Sequence, residues 1–245
     1  SPEARALNER IFACMYHAAI EASVDLAAEH GSYPSFAGSP ASKGQLQFDL
    51  WGARPDPGWD WDRLKARMAA HGLRNSLSLA PMPTASTAQL MGNTEAFEPL
   101  TSNMYVRKTL VGDFIVVNAR LQRDLIRRRV WTPELKNALV AAEGRLVAVP
   151  GVPEDLLQLY KPAWDMSMKA LIDMAADRGK YVCQSQSLNL FVDQATTKKL
   201  SSMHFYAWRQ GLKTGVYYLR TRPATAPVQI TVASPAAGEC VQCSG

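Results

Sequence analysis

Two adjacent phenols and a closely spaced pair of thiols are the residues best suited to chemistry. Tyr217 and Tyr218 stand side by side in KTGVYYLRTRP, and Cys240 and Cys243 form a Cys-x-x-Cys pair near the C-terminus. Neighbouring phenols can pass an oxidising equivalent. The proton must then leave with the electron, because a free phenol holds it up to a pKa of about 10. A second phenol in contact gives that proton somewhere to go. The plain alternative is an ordinary strand with one ring buried and one exposed, since successive strand side chains alternate faces. The Cys-x-x-Cys spacing serves thiol–disulfide exchange and is also half of a zinc site. The other zinc ligands are not evident. Cys14 falls on the apolar side of the first helix and reads as core, Cys183 sits at a strand start, and His17, His30, His71 and His204 form no pair at ligand spacing. Dithiol exchange is therefore the functional reading of Cys240 and Cys243, with unremarkable terminal cysteines as its alternative.

A third stretch is Pro81-Met82-Pro83-Thr84-Ala85-Ser86-Thr87. A strand-like run ends, two prolines delay the next helix, and that helix opens among hydroxyls. The first turn of a helix has amides without intrahelical partners and carries the positive end of the dipole, so the segment suits a phosphate. It lacks the Gly-rich run and Lys of a Walker loop, and simple N-capping reads equally well. Arg127-Arg128-Arg129, with Arg123 one turn earlier, lacks the interleaved aromatics of a nucleic-acid surface and reads as a solvated helix end. His204 has no evident catalytic partner and reads as structural. The sequence shows no metal cluster and no hydrolytic triad.

The elements that must position these residues are marked by caps and breakers. Ser1 and Pro2 open a helix that Gly31 ends, with apolar residues recurring through Ile11, Met15, Ala18, Ala19 and Ala22. A helix from about Asp60 to His71 closes at Gly72. Asn75–Ala80 reads as a short buried strand, and Thr84–Met91 as a short helix stopped by Gly92. Tyr105–Val117 reads as two strands around Gly112-Asp113. Thr132-Pro133-Glu134 begins a helix, and Asp165–Arg178 is strongly helical. Tyr181–Val192, Thr197–Gln210 and Val216–Arg220 read strand, helix, strand: a βαβ unit with a parallel pair. Pro227–Val232 reads as one more edge strand.

Composition bounds the class. The chain has 245 residues, 47% of them hydrophobic and 20% charged, with a net charge of +5. These are the proportions of a globular protein. The charge suits an anionic ligand and by itself makes no case for nucleic acid. No unbroken apolar run approaches the roughly 18 residues of a spanning helix, so no membrane association is expected. No signal-peptide pattern opens the chain, and four cysteines make no disulfide framework. The expectation is a reducing compartment, the cytoplasm. The chain starts without Met and enters a helix at once, which reads as the C-terminal portion of something longer.

Three stretches together carry a resemblance: RNSLSLAPMPTASTAQLMGNTEAFEPLTSNMYVRKTLVGDF, DRGKYVCQSQSLNLFV and MHFYAWRQGLKTGVYYLRTRPA. They closely resemble the C-terminal third of the large subunit of class I ribonucleoside-diphosphate reductase, of the eukaryotic type. The resemblance implies a ten-stranded α/β barrel of which this chain supplies an incomplete, C-terminal part. It places residues 1–234 in the barrel domain and 235–245 in a flexible redox tail. It implies that Thr84, Ala85, Ser86 and Thr87, positioned by Pro83, grip the substrate diphosphate. It assigns Tyr217 and Tyr218 to a radical relay, and Cys240 and Cys243 to reducing the active-site disulfide. Thioredoxin or glutaredoxin would recharge those thiols. It implies a small-subunit partner bearing the radical cofactor, a large-subunit homodimer, and no cofactor or metal bound by this chain. The family's radical-cysteine loop and allosteric domain are not in this sequence, so no turnover is expected of the chain alone. The alternative from another class is a non-catalytic nucleotide- or small-subunit-binding protein derived from the reductase.

Overall fold

The computed structural model describes residues 1–222 except 96, 147 and 148. The elements run α1 (Pro2–His30), α2 (Gln47–Leu50), α3 (Trp61–His71), α4 (Ala85–Leu90), β1 (Met104–Thr109), β2 (Gly112–Val117) and α5 (Ala119–Arg127). They continue as α6 (Pro133–Ala141), α7 (Glu154–Leu159), α8 (Met168–Gly179), β3 (Asn189–Phe191), α9 (Thr197–Arg209) and β4 (Tyr218–Arg220). Two compact units result, one of residues 1–98 with 167–221, the other of Pro99–Met166 with Arg222. The expected edge strand at Pro227–Val232 and the tail with Cys240 and Cys243 lie outside the described residues.

In the first unit the capping chemistry acts as its residues predict. Ser1 Oγ accepts from Ala4 N and Gly31 closes α1 at φ 77°. Asp60 accepts from Arg63 N and Gly72 closes α3, also at φ 77°. The inward face of α1, however, is Phe12, Ala13, Tyr16, Ile20, Val24 and Ala27. The stripe through Ile11, Met15, Ala18 and Ala22 faces outward, with Ala19 half-buried, and Cys14 is exposed rather than core. The reason is that α1 is apolar nearly all round, so periodicity offers two faces and only the packing partner chooses. The same composition makes α1 long and apolar enough to cross a membrane. As folded, its inward face is taken up by α3 and α8.

The core of this unit is aromatic. Tyr16, Phe48, Trp61 and Tyr181 meet with ring centroids 4.9–6.3 Å apart. Their polar ends are used: the Tyr181 hydroxyl accepts from Asp56 N at 2.7 Å and the Tyr16 hydroxyl from Gln47 N at 3.1 Å. Burying a phenol disfavours its anion, so the Tyr181 hydroxyl is pushed up to about 12. Trp51 wedges against Gly179 and Gly211; a Cβ at Gly179 would lie 2.6 Å from Trp51 Cη2.

The βαβ reading is borne out. β3 and β4 pair in parallel, Asn189 opposite Tyr218 and Phe191 opposite Arg220, with α9 between them in sequence. The strands are shorter than expected. Only Asn189–Phe191 of the Tyr181–Val192 run pairs as a strand, because β4 offers just Tyr218–Arg220 as its ladder. Asn75–Ala80 forms no strand and is mostly exposed. It does run alongside the segment leading into β3, through Gln184 N to Leu79 O at 3.1 Å and Ser187 N to Pro81 O at 3.0 Å. Pro81 and Pro83 have no N–H to give, so the ladder cannot continue past them.

The second unit is a β1–β2 hairpin, turned at Leu110-Val111, with α5–α7. Its core is Met104, Leu121, Leu125, Leu139, Leu146, Val149 and Leu156. Asn118 caps α5, and Thr132 caps α6 by accepting from Leu135 N. The arginine run lies at the end of α5, where Arg127 pairs with Asp124 and Arg128 with Asp155.

Two outcomes test this packing. Gly179→Ala should destabilise the chain by about 1–3 kcal/mol in urea unfolding, because the new methyl meets an indole already wedged in place. Stability should also fall with alkali. The Tyr181 pKa is raised in the fold from 10 to about 12, so its contribution is complete below pH 10 and is lost as pH rises toward 12. Melting temperatures across that window should fall less steeply in Tyr181→Phe.

Candidate functional site

The site is organised around residues 184–191, which lie between two flanking segments. On one side Ser187 N donates to Pro81 O at 3.0 Å. On the other, Tyr217 N donates to Leu188 O at 2.7 Å. The end of the Pro81 segment and the start of the tyrosine segment are thus tied to consecutive residues, Ser187 and Leu188.

Tyr217 and Tyr218 meet. Their ring centroids are 4.3 Å apart at 58°. Tyr218 raises the Tyr217 pKa, first by accepting from the Tyr217 phenol, which favours its protonated form, and then through the charge of its own phenolate. This is neither the one-in, one-out strand nor a buried pair, since both rings are about half exposed. Tyr217 sits in a bend just before β4. Strict alternation of side chains therefore does not apply to the pair. The Arg220 guanidinium lies 5.8 Å from the Tyr218 ring centre.

Thr84 to Thr87 form the exposed entry to α4. Thr84 has φ 55°, the left-handed region that a β-branched residue rarely occupies. Such strain costs on the order of 1–3 kcal/mol. Ala88 N reaches Thr84 O at 2.9 Å, so helix geometry offers no carbonyl to the amides of Ala85, Ser86 and Thr87. Pro83 is half-buried, and its carbonyl accepts from Thr84 Oγ1 at 2.8 Å. A small cavity lined by Trp51, Gly179, Gln184 and Lys213, and a larger one of about 210 Å³ beside His17, Trp59, Arg63 and Arg67, both involve other residues.

A carboxyl and an amide beneath the tyrosines were not singled out by their sequence. Asn189 is only 3% exposed in a run that is otherwise apolar, Leu188 to Val192. Its Oδ1 accepts from Tyr218 N at 3.1 Å, and its own N–H donates to Glu98 Oε1, also at 3.1 Å. A lone polar residue inside an apolar run was the available signal. Glu98 is in turn near a buried cation. Arg178 donates to Gln186 Oε1 at 2.6 Å, and its guanidinium lies 4.9 Å from the Phe97 ring centre. Burial lowers the Arg178 pKa to about 10, with Glu98 opposing the shift. Burial likewise raises the Glu98 carboxyl, against the Asn189 donors and Arg220. Among the described residues no three His, Cys, Asp or Glu side chains come together as a metal site.

Residues 1–218 match the family model for the ribonucleotide reductase barrel domain. The chain belongs to that family. It is 54% identical to the ribonucleoside-diphosphate reductase large chain of Cryptosporidium parvum, over 95% of this chain and 29% of that protein. It is 54% identical to the large subunit of Plasmodium falciparum isolate Dd2, over 99% of this chain and 30% of that one. With large chain 2 of Saccharomyces cerevisiae the identity is 53%, over 95% and 27%. The chain therefore spans less than a third of the length of these relatives. The class Id ribonucleotide reductase alpha subunit of Actinobacillus ureae shares the fold, with a TM-score of 0.66 at 23% identity, over 91% of this chain and 35% of that one. The described residues are thus part of a ribonucleotide reductase α/β barrel, with no closed barrel among them, as the resemblance implied.

The raised Glu98 carboxyl sets a test of the electrostatics. A carboxyl whose folded pKa lies above its ordinary 4.5 favours the fold when protonated, and ionising it costs stability as pH rises. Glu98→Gln should therefore raise the melting temperature at about pH 7, and the gain should shrink to nothing near about pH 4.

Proposed function

We propose that this chain is the C-terminal part of a ribonucleotide reductase large subunit, which reduces ribonucleoside diphosphates to 2′-deoxyribonucleoside diphosphates by a radical mechanism. The observation that carries the reading is the contact of Tyr217 and Tyr218, ring centres 4.3 Å apart, in a chain of this family. A phenoxyl radical on one ring takes an electron and a proton together from the phenol of the other, so the first becomes a phenol as the second becomes the phenoxyl radical. Neither ring then has to become a cation, or an anion in a poorly solvated place.

Pro83, Thr84, Ala85, Ser86 and Thr87 hold the substrate diphosphate. The strained Thr84 turn and the unpartnered first-turn amides of α4 support that role, since anionic oxygens accept strong hydrogen bonds from such donors. In the reaction the ribose 2′-hydroxyl leaves as water and hydrogen takes its place. The two electrons come from a dithiol that becomes a disulfide. Cys240 and Cys243 then reduce that disulfide and are recharged by thioredoxin or glutaredoxin. The radical cofactor is supplied by a small-subunit partner, and the parent large subunit is a homodimer. The radical cysteine comes from the remainder of the large subunit, so the chain alone is inactive. Deoxynucleotide synthesis of this kind belongs in the cytoplasm and serves DNA replication.

Two measurements test this. In an enzyme completed with the rest of a large subunit, a small subunit and a dithiol, Tyr217→Phe and Tyr218→Phe should each bring dCDP formation from CDP to background while CDP still binds. By titration calorimetry, Ser86→Ala should weaken CDP binding by about ten- to a hundredfold, the worth of one hydrogen bond to a charged group, and leave cytidine unaffected. Undiminished turnover in both tyrosine variants would remove the relay. Binding of CDP without turnover in the completed enzyme would favour a non-catalytic nucleotide-binding role.

A further inference from the structure

The tyrosine contact needs an explanation that the strand itself does not provide. In a regular strand consecutive amides point to opposite sides, so only every second N–H reaches a given neighbour. Here two consecutive amides turn toward the same neighbouring segment. Tyr217 N donates to Leu188 O, and Tyr218 N donates to the side chain of the very next residue, Asn189. The second bond replaces a ladder bond that the backbone does not offer. Two amides fixed on one side require a bend at Tyr217, and that bend lets rings that would otherwise oppose each other come within 4.3 Å.

Asn189 is itself held from behind. It is almost fully buried, and the Glu98 carboxyl accepts from its main-chain N–H at 3.1 Å. A side-chain amide has one acceptor end and one donor end. The oxygen end faces Tyr218 N, and the carboxyl holds the stretch of backbone from which the amide springs.

We propose that Asn189, braced by Glu98, is the positioning residue of the tyrosine pair: it holds the bend that keeps the two phenols in contact, and so governs transfer between them. The proposal rests on the relay reading of Tyr217 and Tyr218 and adds what enforces their geometry. Both act through the backbone of Tyr218, which Asn189 holds directly and Glu98 holds by way of Asn189.

The test is the ring-to-ring nuclear Overhauser effect between Tyr217 and Tyr218 in the full chain with ring-labelled tyrosine. Asn189→Ala, which removes the acceptor, should weaken it at least severalfold while the Trp61–Tyr181 ring contact stays intact. Asn189→Asp alone sets two carboxylates against each other and should also weaken it. Glu98→Gln combined with Asn189→Asp removes that repulsion and keeps an acceptor at both positions, and should bring the contact back. If Asn189→Ala does not fold, the Asp variant and its Gln rescue decide. An undiminished ring contact in folded Asn189→Ala, or no recovery in the exchanged pair, overturns the proposal. In the completed enzyme, Asn189→Ala should lower kcat for CDP at least tenfold with KM unchanged. A kcat equal to wild type beside a weakened ring contact also overturns it. Loss of the relay reading looks different, because Tyr217→Phe would then leave turnover intact whatever Asn189 does.

Discussion

The geometry of the tyrosine pair depends on one short parallel pairing, in which Leu188 and Asn189 receive the amides of Tyr217 and Tyr218. Three residues on each strand make the ladder. So small a ladder survives because β3 is wholly buried, with Asn189, Leu190 and Phe191 each at most 5% exposed. Burial makes every unpaired polar group there expensive. The pairing is therefore enforced by desolvation more than by the number of its hydrogen bonds.

That rung is held in place by the helices around it. α8 carries Arg178 to Gln186, just ahead of β3, and α9 returns the chain from β3 to β4. Tyr206 on α9 donates to Asp173 on α8, which also pairs with Lys169. Arg5 on α1 pairs with Asp177 on α8, and Asn8 donates to the Met174 carbonyl at 3.0 Å. Surface pairs of this kind are each worth little. Their use is to fix the rotation and height of α8, so that Arg178 arrives beneath Phe97 and beside Glu98.

The cost of this arrangement is a concentration of awkward groups. A buried guanidinium on α8, a half-buried carboxyl at Glu98, a buried amide on β3 and a Thr in the left-handed region before α4 all belong to the first unit. Each is less stable than an apolar or relaxed replacement would be. Such groups are retained where geometry must be specified closely, and here they surround the two segments proposed to bind diphosphate and to carry a radical.

Much of this was legible in the residues. Ser1, Pro2, Asp60 and Thr132 marked helix starts, Gly31 and Gly72 marked ends, and the strand–helix–strand order of the last third was plain, because caps and breakers act within a few residues of themselves. The long motifs around Thr84 and Tyr217 identified the family for the same reason: they are contiguous. Other features depended on what each segment meets across the fold. The inward face of α1 was undecidable from a helix apolar all round until α3 and α8 were in place. The strand length at 181–192 was set by how much partner β4 offers. The contact of neighbouring tyrosine rings, which alternation forbids in an ideal strand, exists because a buried amide from distant sequence and a carboxyl from more distant sequence still hold a bend open. Local sequence determines where elements begin and end; only three-dimensional packing decides which polar group is left to face which.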